Sequence, residues 1–140
     1  MTSMIYLDSN VFIFSFMNHD RKSDMCRSLL TRVASGEVKA CTSLLTWDEV
    51  TWVARKLLGV DDSRDEGRKL LEFPYLQFLD VNEFVVKMSQ DLMERYDMKP
   101  RDSIHAAAAI SLGIREIISD DADFDAVKEV KRIPIEKFTA

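Results

Sequence analysis

Short apolar runs alternate along this chain with stretches whose apolar residues recur at helical spacing, and that alternation constrains the fold more than any other feature. The runs fall at residues 4–7, 38–42, 75–79 and 116–119, each the length of a strand rather than of a helix. Strands separated by helical crossovers pair in parallel, and a parallel sheet needs helices over both faces. The expected architecture is therefore α/β in three layers, with a central parallel sheet of four to five strands flanked by helices. A fifth strand would have to come from the terminal "VKRIPIEKFTA".

The crossovers carry their own punctuation. "RKSDMCRSLLTRVASG" places Met25, Leu29, Leu30 and Val33 on one helical face and ends at Gly36, a residue suited to a helix C-terminus. The second crossover reads as two helices, at about 44–58, stopped by Gly59, and at about 63–72, stopped before Pro74. "NEFVVKMSQDLMERYDM" gives a long amphipathic helix with Asn82 at its N-cap, and Pro100 separates it from "RDSIHAAAAISLG", which ends at Gly113. Four successive alanines in that last helix imply a closely packed neighbour. With 140 residues and 46% hydrophobic content, one domain over 1–140 with a single core is expected.

Charge and cysteine content exclude several classes. Twenty-four acidic residues against 19 basic ones give a net charge of -5, which disfavours a coat protein held to nucleic acid by bulk positive charge. It leaves room for a nucleic-acid enzyme whose acids surround bound cations. Cys26 and Cys41 alone make neither a disulfide scaffold nor a four-ligand zinc site. The apolar run 11–17 is too short to span a bilayer, so a cytoplasmic protein with no membrane association is expected. Gly36, Gly59, Gly67 and Gly113 are too scattered to cradle a phosphate.

Ligands of open α/β sheets bind beyond the carboxyl ends of the strands, which makes an acid just after a strand a site candidate. Asp8 is one; "SDDADFD", with Ser119, Asp120, Asp121 and Asp123, follows the fourth run. Asp102 lies in the first turn of the alanine-rich helix. Glu49 falls on the edge of a stripe marked by Val50, Val53, Ala54 and Leu57. Each acid also fits a plainer role: Asp8 as a helix cap, Asp102 as a complement to the helix dipole, Glu49 as a solvated charge, the aspartate run as a turn. Four acidic positions in four separate segments are harder to assign to turns and caps together.

"YLDSNVFI", "TSLLTWDEV", "KPRDSIHAAAA" and "IISDDADFDAV" resemble, in this order and over nearly the whole chain, the acidic motifs of PIN-domain ribonucleases, and the chain's size resembles the VapC toxins of VapBC toxin–antitoxin pairs. The resemblance implies a PIN-like fold and a ribonuclease, favoured as an endonuclease. It implies Asp8, Glu49, Asp102 and Asp121 as catalytic, metal-ligating acids, with Ser119, Asp123 and Asn10 as supporting polar groups. Family members often carry threonine at the position of Ser119, and the extra Asp120 leaves the register of the fourth acid open among Asp120, Asp121 and Asp123. Mg2+ or Mn2+ is the implied cofactor, because hard cations prefer oxygen ligands and relieve the repulsion among crowded carboxylates. Water activated by the ion would attack a phosphodiester in line, leaving 5′-phosphate and 3′-hydroxyl ends. The implied partners are an RNA substrate and an antitoxin; the apolar residues Phe12, Phe14, Phe16 and Met17 exceed what a short surface helix needs, so a homodimer or an antitoxin groove is expected there. The alternative is a non-catalytic PIN-fold module that binds RNA or protein.

Other chemistries find less support. A phosphatase of the haloacid dehalogenase kind would want an aspartate at Asn10. A metal-free ribonuclease normally needs two histidines in the site; His19 reads as a solvated loop residue. His105, one turn after Asp102, reads as a packed or partly exposed helix residue, with orientation of Asp102 as the other possibility. Arg101 and Lys99 are the candidate RNA phosphate contacts, with Arg21 and Lys22 as surface charges. Trp52 lies nearly opposite the buried stripe, either at an interface or half covered by the following helix.

Overall fold

The computed structural model describes residues 3–17 and 19–138. Five strands, β1 (Ile5–Leu7), β2 (Ala40–Ser43), β3 (Leu76–Leu79), β4 (Glu116–Ile118) and β5 (Lys131–Ile133), form one parallel sheet in the order β3-β2-β1-β4-β5. The fifth strand is thus supplied by the terminal segment. Among the described residues six α-helices connect or follow these strands: α1 (Ser9–Met17), α2 (Arg21–Ala34), α3 (Leu45–Leu58), α4 (Val60–Leu71), α5 (Glu83–Tyr96) and α6 (Pro100–Ser111). Short 3-10 turns at Ala122–Ala126 and Ile135–Lys137 close the chain.

Strand alternation divides the core between the two faces of the sheet. Tyr6 and Ile117 point to one side, where they meet Val85 and Leu92 of α5, the four alanines of α6, and Phe124. Ile5, Leu7 and Ile118 point to the other, where α1, α2, α3 and α4 contribute Val11, Phe12, Leu29, Val33, Val50 and Leu70. Ala106 to Ala109 are all fully buried. Four consecutive helical positions cover the whole circumference, so this stretch of α6 is enclosed on every side.

Local signals account for most boundaries. Asn82 accepts a 3.0 Å hydrogen bond from the Val85 N–H at the start of α5, and Pro100 opens α6 at the position where a missing N–H costs nothing. Helix α4 begins at Val60 rather than near 63: Gly59, at φ 97°, turns the chain sharply, and Asp61 and Asp62 then sit in a first turn whose dipole favours them. Ser63 is inside the helix and donates to the Thr51 carbonyl of α3. Strand β3 starts one residue later than expected because Tyr75 adopts φ 61°.

Two readings of the helix faces need correction. Leu57, assigned to the buried stripe of α3, is 56% exposed, and Thr46 takes its share of the interior. Phe12, counted with the surplus of apolar residues on α1, belongs to the core and packs edge-on against Phe73 at 6.3 Å. Phe14 and Phe16 are half-buried, and Met17 is exposed. Trp52 is 53% exposed, with the Lys56 ammonium over its ring, and lines a groove with Arg64 and Arg68 of α4, so it is half covered by the following helix. No helix among the described residues is long and apolar enough to cross a membrane.

Candidate active site

The strand order reverses at β1, whose neighbours β2 and β4 lead the chain in opposite directions, and the crevice beyond the carboxyl ends of β1 and β4 is the place such a sheet offers a ligand. Asp8 follows β1 directly and its backbone N–H continues the ladder to the Ile118 carbonyl at 3.0 Å. Ser119 follows β4 in the same manner. Its hydroxyl donates to Asp8 Oδ2 at 2.6 Å and accepts from Asn10 Nδ2 at 3.2 Å and from the Asp121 N–H at 2.9 Å. One hydroxyl therefore ties two of the expected site segments together, the one after β1 and the one after β4. Asn10 Oδ1 is shielded from solvent and has no hydrogen-bond partner among the described residues.

The open side of the crevice is formed by Asp102, Asp121 and Asp123, each of which offers an oxygen within 4.8 Å of the others. Asp102 projects from the first turn of α6. Asp121 caps the Ala122–Ala126 turn by accepting from the Asp123 N–H at 2.9 Å. Burial and the adjacent Asp121 carboxylate push the Asp102 carboxyl up to about 7. Asp102 is therefore held against a neighbouring negative charge, which complementing a helix dipole does not require. Asp120 points elsewhere, to the Lys22 ammonium at 2.8 Å. Between the adjacent acids, Asp121 is the one that faces Asp102.

Behind this group lies a buried chain that the sequence reading missed. His105 is packed, at 1% exposed, rather than partly exposed, and it is not directed at Asp102: its Nε2 lies 2.5 Å from Glu49 Oε1 and 3.4 Å from Asp8 Oδ1. On its other side Nδ1 meets the Tyr6 hydroxyl at 2.6 Å, and that oxygen accepts from the Ser43 N–H at 3.1 Å. Burial alone would lower the His105 pKa, but the hydrogen bond to Glu49 and the charge of Asp8 outweigh it and hold the ring's pKa up. Asp8 is 4% exposed, and its pKa is raised by burial, against the opposing pull of His105 and Ser119. The spacing of His105 three residues beyond Asp102 was a legible hint that both share a helix face; Tyr6, on a core strand, carried no such signal.

Glu49, at the half-buried edge of α3 as its wheel position suggested, lines a cleft of about 570 Å³ with Lys99, Pro100, Arg101, Asp102 and Asp121. Lys99 and Arg101 are exposed at the start of α6. The cleft thus places two cations beside a cluster of carboxylates. That combination suits an anionic substrate only if the carboxylate charge is neutralised.

The PIN domain family model matches residues 5–130. Ribonuclease VapC6 of Methanocaldococcus jannaschii is 19% identical, with 94% of this chain and 97% of the relative aligned. Among solved structures, VapC20 of Mycobacterium tuberculosis, described as a sarcin-ricin loop cleaving toxin, superposes with a TM-score of 0.73 at 14% identity over 89% of this chain and 95% of that one. A chain of the VapBC2 complex of Rickettsia felis, solved bound to a DNA fragment from its promoter, gives 0.72 at 14% identity over 94% and 98%. At such identities the solved structures speak to the fold alone.

Proposed function

This chain belongs to the PIN domain family, and from that premise we propose that it is a divalent-metal-dependent ribonuclease, an endonuclease acting as the toxin of a toxin–antitoxin pair. The observation that carries the reading is the cluster of Asp102, Asp121 and Asp123 beside Asp8 and Glu49 at the switch point of the sheet. Carboxylates so crowded that one titrates near neutrality form a donor set suited to a hard cation, and the unpaired Asn10 Oδ1 adds a neutral oxygen nearby.

Asp102 and Asp121 would hold Mg2+ or Mn2+, with Asp8, Glu49 and Asp123 around them. A cation so held supplies activation of a water and neutralisation of charge at the scissile phosphate. The protein's own part is positional. Ser119 fixes Asp8 and the Asp121 backbone through one hydroxyl, and Asn10 steadies that hydroxyl. Lys99 and Arg101 offer phosphate contacts at the cleft's edge, where they would orient an RNA backbone without reading its bases. The likeness to VapBC structures extends the reading to an antitoxin partner.

The test is cleavage of a structured RNA by purified protein in Mg2+, Mn2+ or EDTA, with Asp102→Asn alongside. Metal-dependent cutting that leaves 5′-phosphate ends and is lost in the variant is the expected result. Binding of RNA without turnover in any metal would replace the nuclease with a non-catalytic PIN-fold module.

A further inference from the structure

We infer that His105 is a positioning residue for the proposed ribonuclease: it fixes Glu49 and Asp8 from behind the site and is itself fixed by Tyr6. The inference rests on the nuclease reading above. His105 does not line the cleft and is almost wholly buried, so it has no access to substrate and can act only through the groups it touches. Those groups come from two separate elements. Tyr6 sits within β1, with its hydroxyl held by the backbone of β2, Asp8 follows β1 directly, and Glu49 belongs to α3. Charged and titratable groups facing the ring are Tyr6, Glu49, Asp8 and, further off, Asp102.

The direction of the hydrogen bonds follows from chemistry. Ionised carboxylates only accept, so the ring nitrogen between Glu49 and Asp8 must carry a hydrogen whether the imidazole is neutral or charged. That one N–H stands between two acids that would otherwise repel one another, Glu49 being among the groups that disfavour the Asp8 charge. Glu49 is also a long side chain at the edge of a helix, with rotamer freedom to lose. Anchoring Oε1 to a ring held on its far side by Tyr6, edge-on at 5.6 Å between centroids, leaves the rest of the carboxylate aimed at the cleft. Partners of this kind, one step behind the metal ligands, change affinity or activity by about 10- to 100-fold when removed.

His105→Asn and His105→Gln separate positioning from packing. The asparagine amide reaches about as far as Nδ1 and keeps a partner in Tyr6 but not in Glu49; the glutamine amide reaches the level of Nε2 and keeps a donor to Glu49. Both variants and wild type would be compared by melting temperature, by Mn2+ titration calorimetry and by steady-state RNA cleavage. The expected result is that His105→Asn, folded, weakens Mn2+ binding and lowers kcat each by about tenfold or more with KM for RNA unchanged, and that His105→Gln restores most of both. Equal losses in the two variants, or a folded His105→Asn that binds Mn2+ and cuts as wild type does, would overturn the positioning role. A wild type that neither binds Mn2+ nor cuts RNA would overturn the nuclease reading itself, and the inference with it.

Discussion

Replacing Asp102 by asparagine should stabilise the metal-free protein while abolishing its cleavage. Asp102 sits against Asp121, and burial together with that charge moves its carboxyl from 3.8 to about 7. A displacement of that size corresponds to about 4 kcal/mol against the ionised form if it is taken at face value. The side chain is partly open to solvent and Asp121 can swing away, so screening reduces the realisable share to about 1–2 kcal/mol. Asparagine keeps the shape and can donate to Asp121 as the neutral acid does, yet it never ionises. The pH dependence fixes the sign. The unfolded chain releases this proton near pH 4 and the folded one near 7, so the folded state binds more protons between them and wild-type stability falls as pH rises through that window. In EDTA, the melting temperature of Asp102→Asn should therefore match wild type at pH 4 and exceed it by about 3–6 °C at pH 8. Mg2+ should reverse the order at pH 8, because only wild type gains from binding it. A variant less stable than wild type in EDTA at pH 8, or a difference that does not grow with pH, would refute the electrostatic account of this pair. The measurement is differential scanning fluorimetry across pH with and without metal.

Three further outcomes follow from the same structure. Ser119→Ala removes the hydroxyl that joins Asp8, Asn10 and the Asp121 backbone, so cleavage should drop by about 10- to 100-fold with a loss of about 1–3 kcal/mol in urea melts, whereas Ser119→Thr should keep most of both. Gly67→Ala places a methyl 2.8 Å from the Thr51 Cγ2, whose hydroxyl is pinned to the Trp47 carbonyl; crowding should exceed the helix-propensity gain and cost about 1 kcal/mol, read as a lower urea midpoint with cleavage unchanged. Cys26 and Cys41 are buried, and burial pushes both thiols up to about 12, so Ellman's reagent should count no thiol at pH 8 until denaturant is added.

Much of this protein was legible in its sequence because the signals involved are local. Strand runs, the Asn82 cap, Pro100 at a helix start and Gly59 at a helix stop act over a few residues, and they place acids after strands β1 and β4 and in the first turn of α6 whatever the rest of the chain does. Periodicity was enough to set Glu49 at the edge of α3. It was not enough to bury Leu57, since the neighbour that would cover a helix face is not written in that helix. Chemically similar neighbours were likewise beyond reach: Asp120 and Asp121 are adjacent and alike, and only a lysine 98 residues from Asp120 and a serine hydroxyl on the Asp121 N–H send one outward and the other into the site. His105 shows the same division. Its spacing from Asp102 is fixed by the helix, whereas its burial between Tyr6 and two carboxylates exists only once β1, α3 and α6 have packed together. Backbone hydrogen bonding and side-chain periodicity are settled within a segment; which charge faces which is settled by the shared dielectric and the shared space that segments create when they meet.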